Sequence, residues 1–359
     1  MFSLFAYLEV RLHLTEYNKN VLYYIMFFCL IILVGFRWET GTDWTAYLKH
    51  FNNAGSVERI FLDILLGFEI GYGYSVYLFR LFTNNYTVFL VIHALIYYLL
   101  IFKANKELSP YPLISMFIFY TSTMGILGAN RQLIALSICL CSLKFVVNKK
   151  PFKFLLSVAL AFTFHTSALF FLVYYFLNRD FKKYFLITFL LMTIIVGKSS
   201  LPTYVFSSFA DFLGGAASVK ADVYSNNELS ETSLSLTGLI RRLLFFVFFL
   251  YNYDVLVKKW PIYKLIFNGY LFGLGIYFLF KDTFIILVGR GSYYFNIMEC
   301  FLLASQLLLF RYKRDRSYAL FILILYACLI FFQSIAEFPS LFLPYKGVFI
   351  NESFEREYI

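Results

Sequence analysis

Long apolar runs separated by short basic loops constrain this chain more than any other feature of its sequence. Backbone that faces lipid must satisfy its own hydrogen bonds, so an apolar run of about 17 to 25 residues predicts a transmembrane helix. The composition agrees, since 61% of the 359 residues are hydrophobic and 14% are charged, whereas about 25% of residues are charged in soluble domains. This composition excludes soluble enzymes, nucleic-acid-binding modules and disordered chains.

The apolar runs predict an all-α polytopic membrane protein with about 10 to 11 transmembrane helices in a single domain over residues 1–359. Loops rich in Lys and Arg stay in the cytoplasm, and the basic clusters of this chain place its N-terminus there. The net charge of +10 is therefore assigned to the inner loops and not to nucleic-acid binding. The predicted spans are 20–36, 86–102, 111–128, 132–147, 184–200, 238–257, 262–280, 291–310 and 317–334.

The apolar run 154–177 conflicts with this topology because both of its flanks are basic. It cannot cross the membrane twice, since two crossings need about 40 residues. A re-entrant hairpin of two half-length helices, 154–163 and 166–177, resolves the conflict by breaking at 164–167. Irregular backbone at membrane depth must be covered by protein or must line a water-filled cavity, so the hairpin predicts an outer-face cavity.

Two further segments are too polar to be transmembrane spans. Residues 37–83 include Asp63, Glu69 and Arg80, so we expect an outer-face loop that contains an amphipathic or re-entrant stretch. Residues 201–236 are polar and have no clear periodicity. Because long loops are often functional, we expect this second segment to lie on the outer face as a lid over the site.

Charged residues outside the inner loops are the candidates for chemistry, because an ionisable group at membrane depth is costly and usually serves a function. In the predicted topology they lie near the outer face of the membrane. One planar guanidinium group can donate two parallel hydrogen bonds to two phosphate oxygens, and it stays ionised when it is partly desolvated. This set of charged residues therefore matches an anionic lipid head group. Its members are Arg37, Asp43, Glu69, Arg131, His165, Arg241, Arg242 and Arg290.

Each candidate also has a structural alternative. Arg37 ends a span and can extend to the interface, Asp43 can cap a short helix, and Glu69 can be a charge at a helix start. His165 can be a hydrogen-bonded core residue. Arg131 is harder to explain by structure alone, because the inner flank of its span is already basic. Arg241 and Arg242 can anchor the outer end of their span. Arg290 can also be structural, but it lies between Gly289 and Gly291, which leaves room for close approach of a ligand.

Four short motifs in this order resemble those of the EpsG-like family of Wzy-type polysaccharide polymerases. The resemblance covers residues 20–180, and the C-terminal half matches in hydropathy, in Arg290 and in Tyr293-Tyr294-Phe295. One departure is Ile70, where many relatives have proline, which affects the expected local turn. The motifs are Arg37 with Gly41-Thr42-Asp43 and Tyr47, then Phe68-Glu69-Ile70-Gly71-Tyr72, Asn130-Arg131-Gln132 and Phe164-His165-Thr166-Ser167-Ala168.

The resemblance implies a GT-C-like, metal-independent membrane glycosyltransferase of the bacterial inner membrane, with its active site facing the periplasm or exterior. Its substrate would be an undecaprenyl-pyrophosphate-linked oligosaccharide, and a chain-length regulator protein is a further expected partner. No cofactor is expected, since the histidines and cysteines have no metal-ligand spacing.

Three roles divide the candidate residues. A carboxylate or a neutral histidine must take the proton of the acceptor hydroxyl, cationic groups must stabilise the departing pyrophosphate, and aromatic rings can stack on sugars. The sequence does not rank the bases, and the aromatic belt of any membrane protein is the alternative for the rings. The candidate bases are Asp43, Glu69 and His165. The candidate substrate-binding residues are Arg37, Arg131, Gln132, Arg241, Arg242 and Arg290. The candidate sugar contacts are Tyr47, Tyr72 and Tyr293.

Other functions remain open at this point. A flippase or transporter of the same lipid-linked sugar would have two halves with broken helices at matching positions. The sequence predicts one broken element, at His165, and no counterpart in the second half. An O-antigen ligase would release the same lipid pyrophosphate as a polymerase. A membrane acyltransferase using His165 would leave the accompanying arginines without a task.

Overall fold

The computed structural model describes residues 1–12, 14–65, 67–205, 208, 236–354 and 356. Among these residues the only extended pairing is an isolated bridge between Arg37 and Gly347, and the named elements are helices. The helices are α1 (Phe2–Arg11), α2 (Glu16–Gly35), α3 (Trp44–Asn53), α4 (Val57–Leu65), α5 (Ile70–Arg80), α6 (Tyr86–Leu108), α7 (Pro112–Thr123), α8 (Asn130–Val147), α9 (Pro151–Phe164), α10 (Tyr174–Leu177), α11 (Lys183–Gly197), α12 (Leu236–Tyr251), α13 (Tyr253–Lys259), α14 (Tyr263–Phe280), α15 (Ile285–Asn296), α16 (Met298–Ser305) and α17 (Lys313–Ile335).

Five of the described helices are long and apolar enough to cross a membrane, namely α2, α6, α8, α14 and α17. Shorter apolar helices, including α7, α9 and α11, accompany them. The predicted class, an all-α polytopic membrane protein, is confirmed. Helix α17 begins at Lys313, earlier than the predicted 317, because its first turn is charged and a hydropathy pattern does not register a charged turn.

The chain forms two compact units. The first consists of Met1–Leu172 and Leu303–Ile359, and the second of Val173–Leu302. A single transmembrane domain therefore stays a prediction. The predicted lid over 201–236 lies outside the described residues except for 201–205, 208 and 236.

In the first unit α2, α6, α8 and α9 pack side by side in this order, and α1 packs against α7 and α17. The buried carboxylate of Glu9 fixes α1 to the start of α7, where it accepts hydrogen bonds from the amides of Leu113 and Ile114 at 3.1 Å. The first amides of a helix have no partner within the helix, so this contact satisfies two of them.

Three short helices, α3, α4 and α5, connect α2 to α6. None has the length of a span, which agrees with the prediction that 60–83 does not cross the membrane. Helix α4 is strongly amphipathic, but its most apolar face is exposed: it buries Asp63 and Ile60 and exposes Phe61 and Leu62. The apolar face of α4 thus points away from the first unit, and its buried carboxylate needs a partner within it.

The predicted hairpin is present and is broken at the predicted position. Helix α9 ends at Phe164, and His165 has extended backbone with φ −158° and ψ 124°. A 3-10 helix, Thr166–Val173, follows. The ring centres of Phe154 and Phe171 lie 6.3 Å apart, so the chain returns alongside α9 after the break.

The second unit departs from the prediction in two places. The run 238–257 is divided at Asn252, whose side-chain amide donates to the carbonyl of Phe248 at 3.0 Å. Such local hydrogen bonds compete with the helix backbone. The run 291–310 begins earlier, at Ile285, because the helix continues through 289–291. Ile297 separates α15 from α16, but its φ of −62° and ψ of −19° stay helical and its amide donates to the carbonyl of Tyr293 at 3.2 Å.

The close approach of α5 to α9 yields a stability prediction. In a helix, alanine is normally more favourable than glycine by about 1 kcal/mol. A Cβ at Gly71, however, would lie 2.8 Å from the carbonyl oxygen of Thr163 in α9 and against its hydroxyl. We expect Gly71→Ala to lower the free energy of unfolding by about 1–3 kcal/mol through overpacking, measured by detergent-induced unfolding in mixed micelles. Gly55→Ala is the control, since nothing lies within 4 Å of its Cβ position. Equal stability of the two variants would contradict the packing.

Candidate functional site

The first unit holds Arg131, the second residue of α8, in a dense set of polar contacts. Its Nη1 donates to Oε2 of Glu69 at 2.7 Å and to the carbonyl of Gly67 at 2.9 Å. Its Nε donates to the hydroxyl of Tyr47 at 3.0 Å. We call Arg131, Glu69 and Tyr47 the arginine–glutamate centre. Its members come from α3, from the start of α5 and from the start of α8, so it joins three helices.

Glu69 also connects the centre to the tip of the hairpin. Its Oε1 accepts a hydrogen bond from the backbone amide of Thr166 at 3.2 Å, directly after the break at His165. The side chain of Arg131 is 22% exposed and that of Glu69 is 10% exposed. The ion pair is thus partly desolvated, which strengthens it, and the guanidinium still reaches the surface of this unit.

Aromatic rings pack against the guanidinium of Arg131. The central carbon of the Arg131 guanidinium lies 4.6 Å from the ring centre of Phe68, a distance at which a cation is attracted to an aromatic face. The same ring stacks on the imidazole of His50, with 4.2 Å between ring centres and 13° between planes. Tyr72 packs edge-on against Tyr47 at 5.5 Å. These rings restrict the positions that Arg131 can adopt.

A buried histidine–aspartate pair lies next to this stack, and sequence reasoning missed it. His50 Nε2 is 3.1 Å from Oδ2 of Asp63, and Arg59 Nε donates to Oδ1 of the same carboxylate at 3.1 Å. Burial lowers the pKa of the His50 imidazole, so we expect the ring to be neutral at neutral pH. The sequence does contain one signal for this contact, the i, i+4 spacing of Arg59 and Asp63, which places their side chains on the same face of a helix.

Arg37 lies behind the centre and is 1% exposed. Its Nη1 donates to the carbonyl of Val34 and its Nη2 to Oδ1 of Asn130, both at 2.8 Å. His93 Nε2 is 3.0 Å from the carbonyl of Asn130. These contacts fix the residue that precedes Arg131, so Arg37 positions the start of α8 in this structure. Direct contact of Arg37 with substrate stays a prediction.

The other predicted residues of the first unit differ in exposure. Asp43 is exposed and occupies the N-cap position of α3, although its side chain makes no capping hydrogen bond. Gln132 and His165 are each 8% exposed, and Tyr72 is 1% exposed. The backbone amide of Ser167 donates to His165 Nδ1 at 3.3 Å, so this nitrogen is an acceptor and holds the bend. The roles in binding or catalysis of the four predicted residues, Asp43, Gln132, His165 and Tyr72, stay predictions.

The remaining candidates belong to the second unit. Arg241 Nη1 is 3.6 Å from Oε1 of Glu299. The guanidinium of Arg242 lies 5.5 Å from the ring centre of Tyr277. Arg290 is exposed in the middle of α15, and Tyr293 is half-buried one turn further along. A common cavity for the arginines of both units therefore stays a prediction.

The fold and the centre define a polytopic helical membrane protein with a partly exposed arginine–carboxylate pair at the tip of a helical hairpin. A profile of the EpsG family matches residues 20–347. The chain therefore belongs to the EpsG family, which indicates a role in polysaccharide polymerisation. No curated protein and no solved structure matches the chain.

The energetic coupling within the centre can be measured by a double-mutant cycle. We expect Glu69→Gln and Arg131→Gln to be coupled by about 1.5–3 kcal/mol in unfolding free energy, as for hydrogen bonds between charged groups that are shielded from water. The control is the pair of Lys19 and Glu16, which has the same distance of 2.7 Å but is more exposed. We expect this pair to give less than about 1 kcal/mol. Additive effects of the two substitutions at the centre would contradict the assigned contact.

Proposed function

We propose that the protein is a polysaccharide polymerase of the Wzy type. In this proposal it transfers an undecaprenyl-pyrophosphate-linked glycan onto the next lipid-linked repeat unit at the outer face of the bacterial inner membrane. The observation that carries the proposal is the arginine–glutamate centre, in a chain that belongs to the EpsG family. The centre combines a cation for a departing phosphate with a carboxylate for an attacking hydroxyl.

The departing group requires the cation. When the acceptor oxygen attacks the anomeric carbon, the bond between that carbon and the pyrophosphate oxygen breaks, and negative charge grows on the phosphate. A guanidinium held in place and partly shielded from water stabilises this charge without further reorganisation. Arg131 fits this role because its side chain is fixed by Tyr47, Gly67 and Phe68 and keeps about a fifth of its surface exposed.

The attacking hydroxyl requires a base, and we assign this role to Glu69. In the structure the Glu69 carboxylate accepts a hydrogen bond from Arg131 at 2.7 Å, so one of its oxygens is occupied. An arriving pyrophosphate competes for the same guanidinium. Its binding releases Glu69 to take the proton of the acceptor hydroxyl, so substrate binding and activation of the base are linked. Asp43 and His165 remain the alternative bases, and the arginines of the second unit are further candidates for the lipid head group.

Transport of the lipid-linked sugar is the second candidate. Transporters built from repeats contain broken helices at matching positions of both halves. The first unit has an extended break at His165, whereas Ile297 of the second unit keeps helical dihedral angles. Ligation of finished glycan is a third candidate because a ligase would release the same lipid pyrophosphate.

Product analysis in cells separates these functions. In a strain that lacks its own copy of the gene, we expect Arg131→Lys and Glu69→Gln to abolish long glycan chains, while single repeat units still reach the cell surface. Lysine retains the charge but loses the paired donors, so the loss tests guanidinium geometry. The measurement is the chain-length ladder of the surface polysaccharide on gels.

Lys49→Gln is the matched control, because Lys49 is an exposed charge on α3, the helix that carries Tyr47. We expect it to give a normal ladder. Normal ladders from both centre variants would overturn the proposal. Repeat units that accumulate on the inner face would instead establish transport, and long chains that remain on the lipid carrier would establish ligation.

A further inference from the structure

A concave surface of the first unit lies between Trp38 and the C-terminal segment 346–353. It is an open groove of about 360 Å³. Its polar lining comes from Lys346, Asn351, Glu352 and Ser353. We call it the Trp38 groove. None of its lining residues belongs to the arginine–glutamate centre.

Hydrogen bonds hold the two sides of the groove together. The amide of Trp38 donates to the carbonyl of Lys346 at 2.9 Å, and the amide of Val348 donates to the carbonyl of Phe36 at 2.9 Å. The hydroxyl of Tyr345 donates to the carbonyl of Leu33 at 2.7 Å. These bonds fix residues 345–348 against the end of α2 and Trp38, which reduces the entropy that this side of the groove loses when a ligand binds.

The lining chemistry suits sugars better than phosphates. The indole of Trp38 is half-buried and presents an apolar surface, while the exposed Asn351, Glu352 and Ser353 offer an amide, a carboxylate and a hydroxyl. Sugars present the same combination of apolar C–H faces and hydroxyl groups. The ammonium of Lys346 is already paired with Glu39, and the carboxylate of Glu352 repels anions. The groove thus lacks the free cations that a phosphate requires.

The groove is connected to the arginine–glutamate centre through two indole rings. Trp38 packs edge-on against Trp44, with 5.3 Å between ring centres. Trp44 begins α3, and Tyr47 lies about one helical turn further along the same helix. The hydroxyl of Tyr47 binds Arg131. A glycan held in the groove would therefore lie near the centre without occupying it.

We propose that the Trp38 groove binds uncharged sugar residues of the glycan and helps to select the repeat unit. This inference rests on the proposed function. Its polar side chains would hydrogen-bond sugar hydroxyl groups, and Trp38 would pack on an apolar sugar face.

The test is a binding measurement on the full chain in lipid nanodiscs. The probe is the oligosaccharide repeat unit released by mild acid from the lipid carrier of the strain that carries this gene, followed by saturation-transfer NMR and calorimetry. We expect Trp38→Ala to weaken binding at least tenfold, and Asn351→Ala with Glu352→Gln to weaken it about fivefold to tenfold, as for lost hydrogen bonds. Glu337→Gln is the control, since it removes an exposed charge that lies just after α17 and outside the groove.

Unchanged binding by the Asn351/Glu352 double variant would overturn the inference, even where Trp38→Ala fails to fold, because the substituted side chains are exposed. Failure of this inference is distinguishable from failure of the proposed function. If the groove variants bind normally while Arg131→Lys abolishes long chains, the inference fails and the polymerase stands. If the groove variants lose binding while Arg131→Lys gives normal ladders, the polymerase fails and the glycan site stands.

Discussion

A guanidinium that loses water needs hydrogen-bond acceptors in its place, and the acceptors of Arg131 organise the first unit. An ionised group that loses water is costly unless hydrogen bonds and an opposite charge replace it. Three oxygens from Tyr47, Gly67 and Glu69 meet this requirement. Because Glu69 also holds the tip of the hairpin at Thr166, one ion pair fixes the short helices, the start of α8 and the re-entrant break together.

The same constraint explains why the centre is suited to chemistry. A fully buried ion pair has no route to substrate, and a fully exposed one is screened by water. Arg131 lies between these extremes, and the stack of Phe68 and His50 holds its position. Arg37, by contrast, is 1% exposed and donates hydrogen bonds to the carbonyl of Val34 and to Asn130. It therefore positions the start of α8 without reaching the surface of the unit.

The apolar runs predicted the class of fold, and the two basic flanks of 154–177 predicted the hairpin and its break. Motif order brought Arg131, Glu69 and Tyr47 into one candidate set, although hydropathy alone says nothing about which of them touch. The pairing of His50 with Asp63 and the C-terminal segment on Trp38 were not predictable in this way. They depend on contacts between residues far apart in the chain.

We propose that this protein forms glycosidic bonds without a partner protein, that the lipid pyrophosphate is the leaving group, and that the arginine–glutamate centre carries the reaction. The most direct measurement uses the purified protein in liposomes with a synthetic undecaprenyl-pyrophosphate-linked repeat unit as sole substrate, and follows product length and released undecaprenyl pyrophosphate by mass spectrometry. Our account predicts a ladder of products, with one lipid pyrophosphate released for each bond formed. Movement of the substrate across the bilayer without any new glycosidic bond would contradict it.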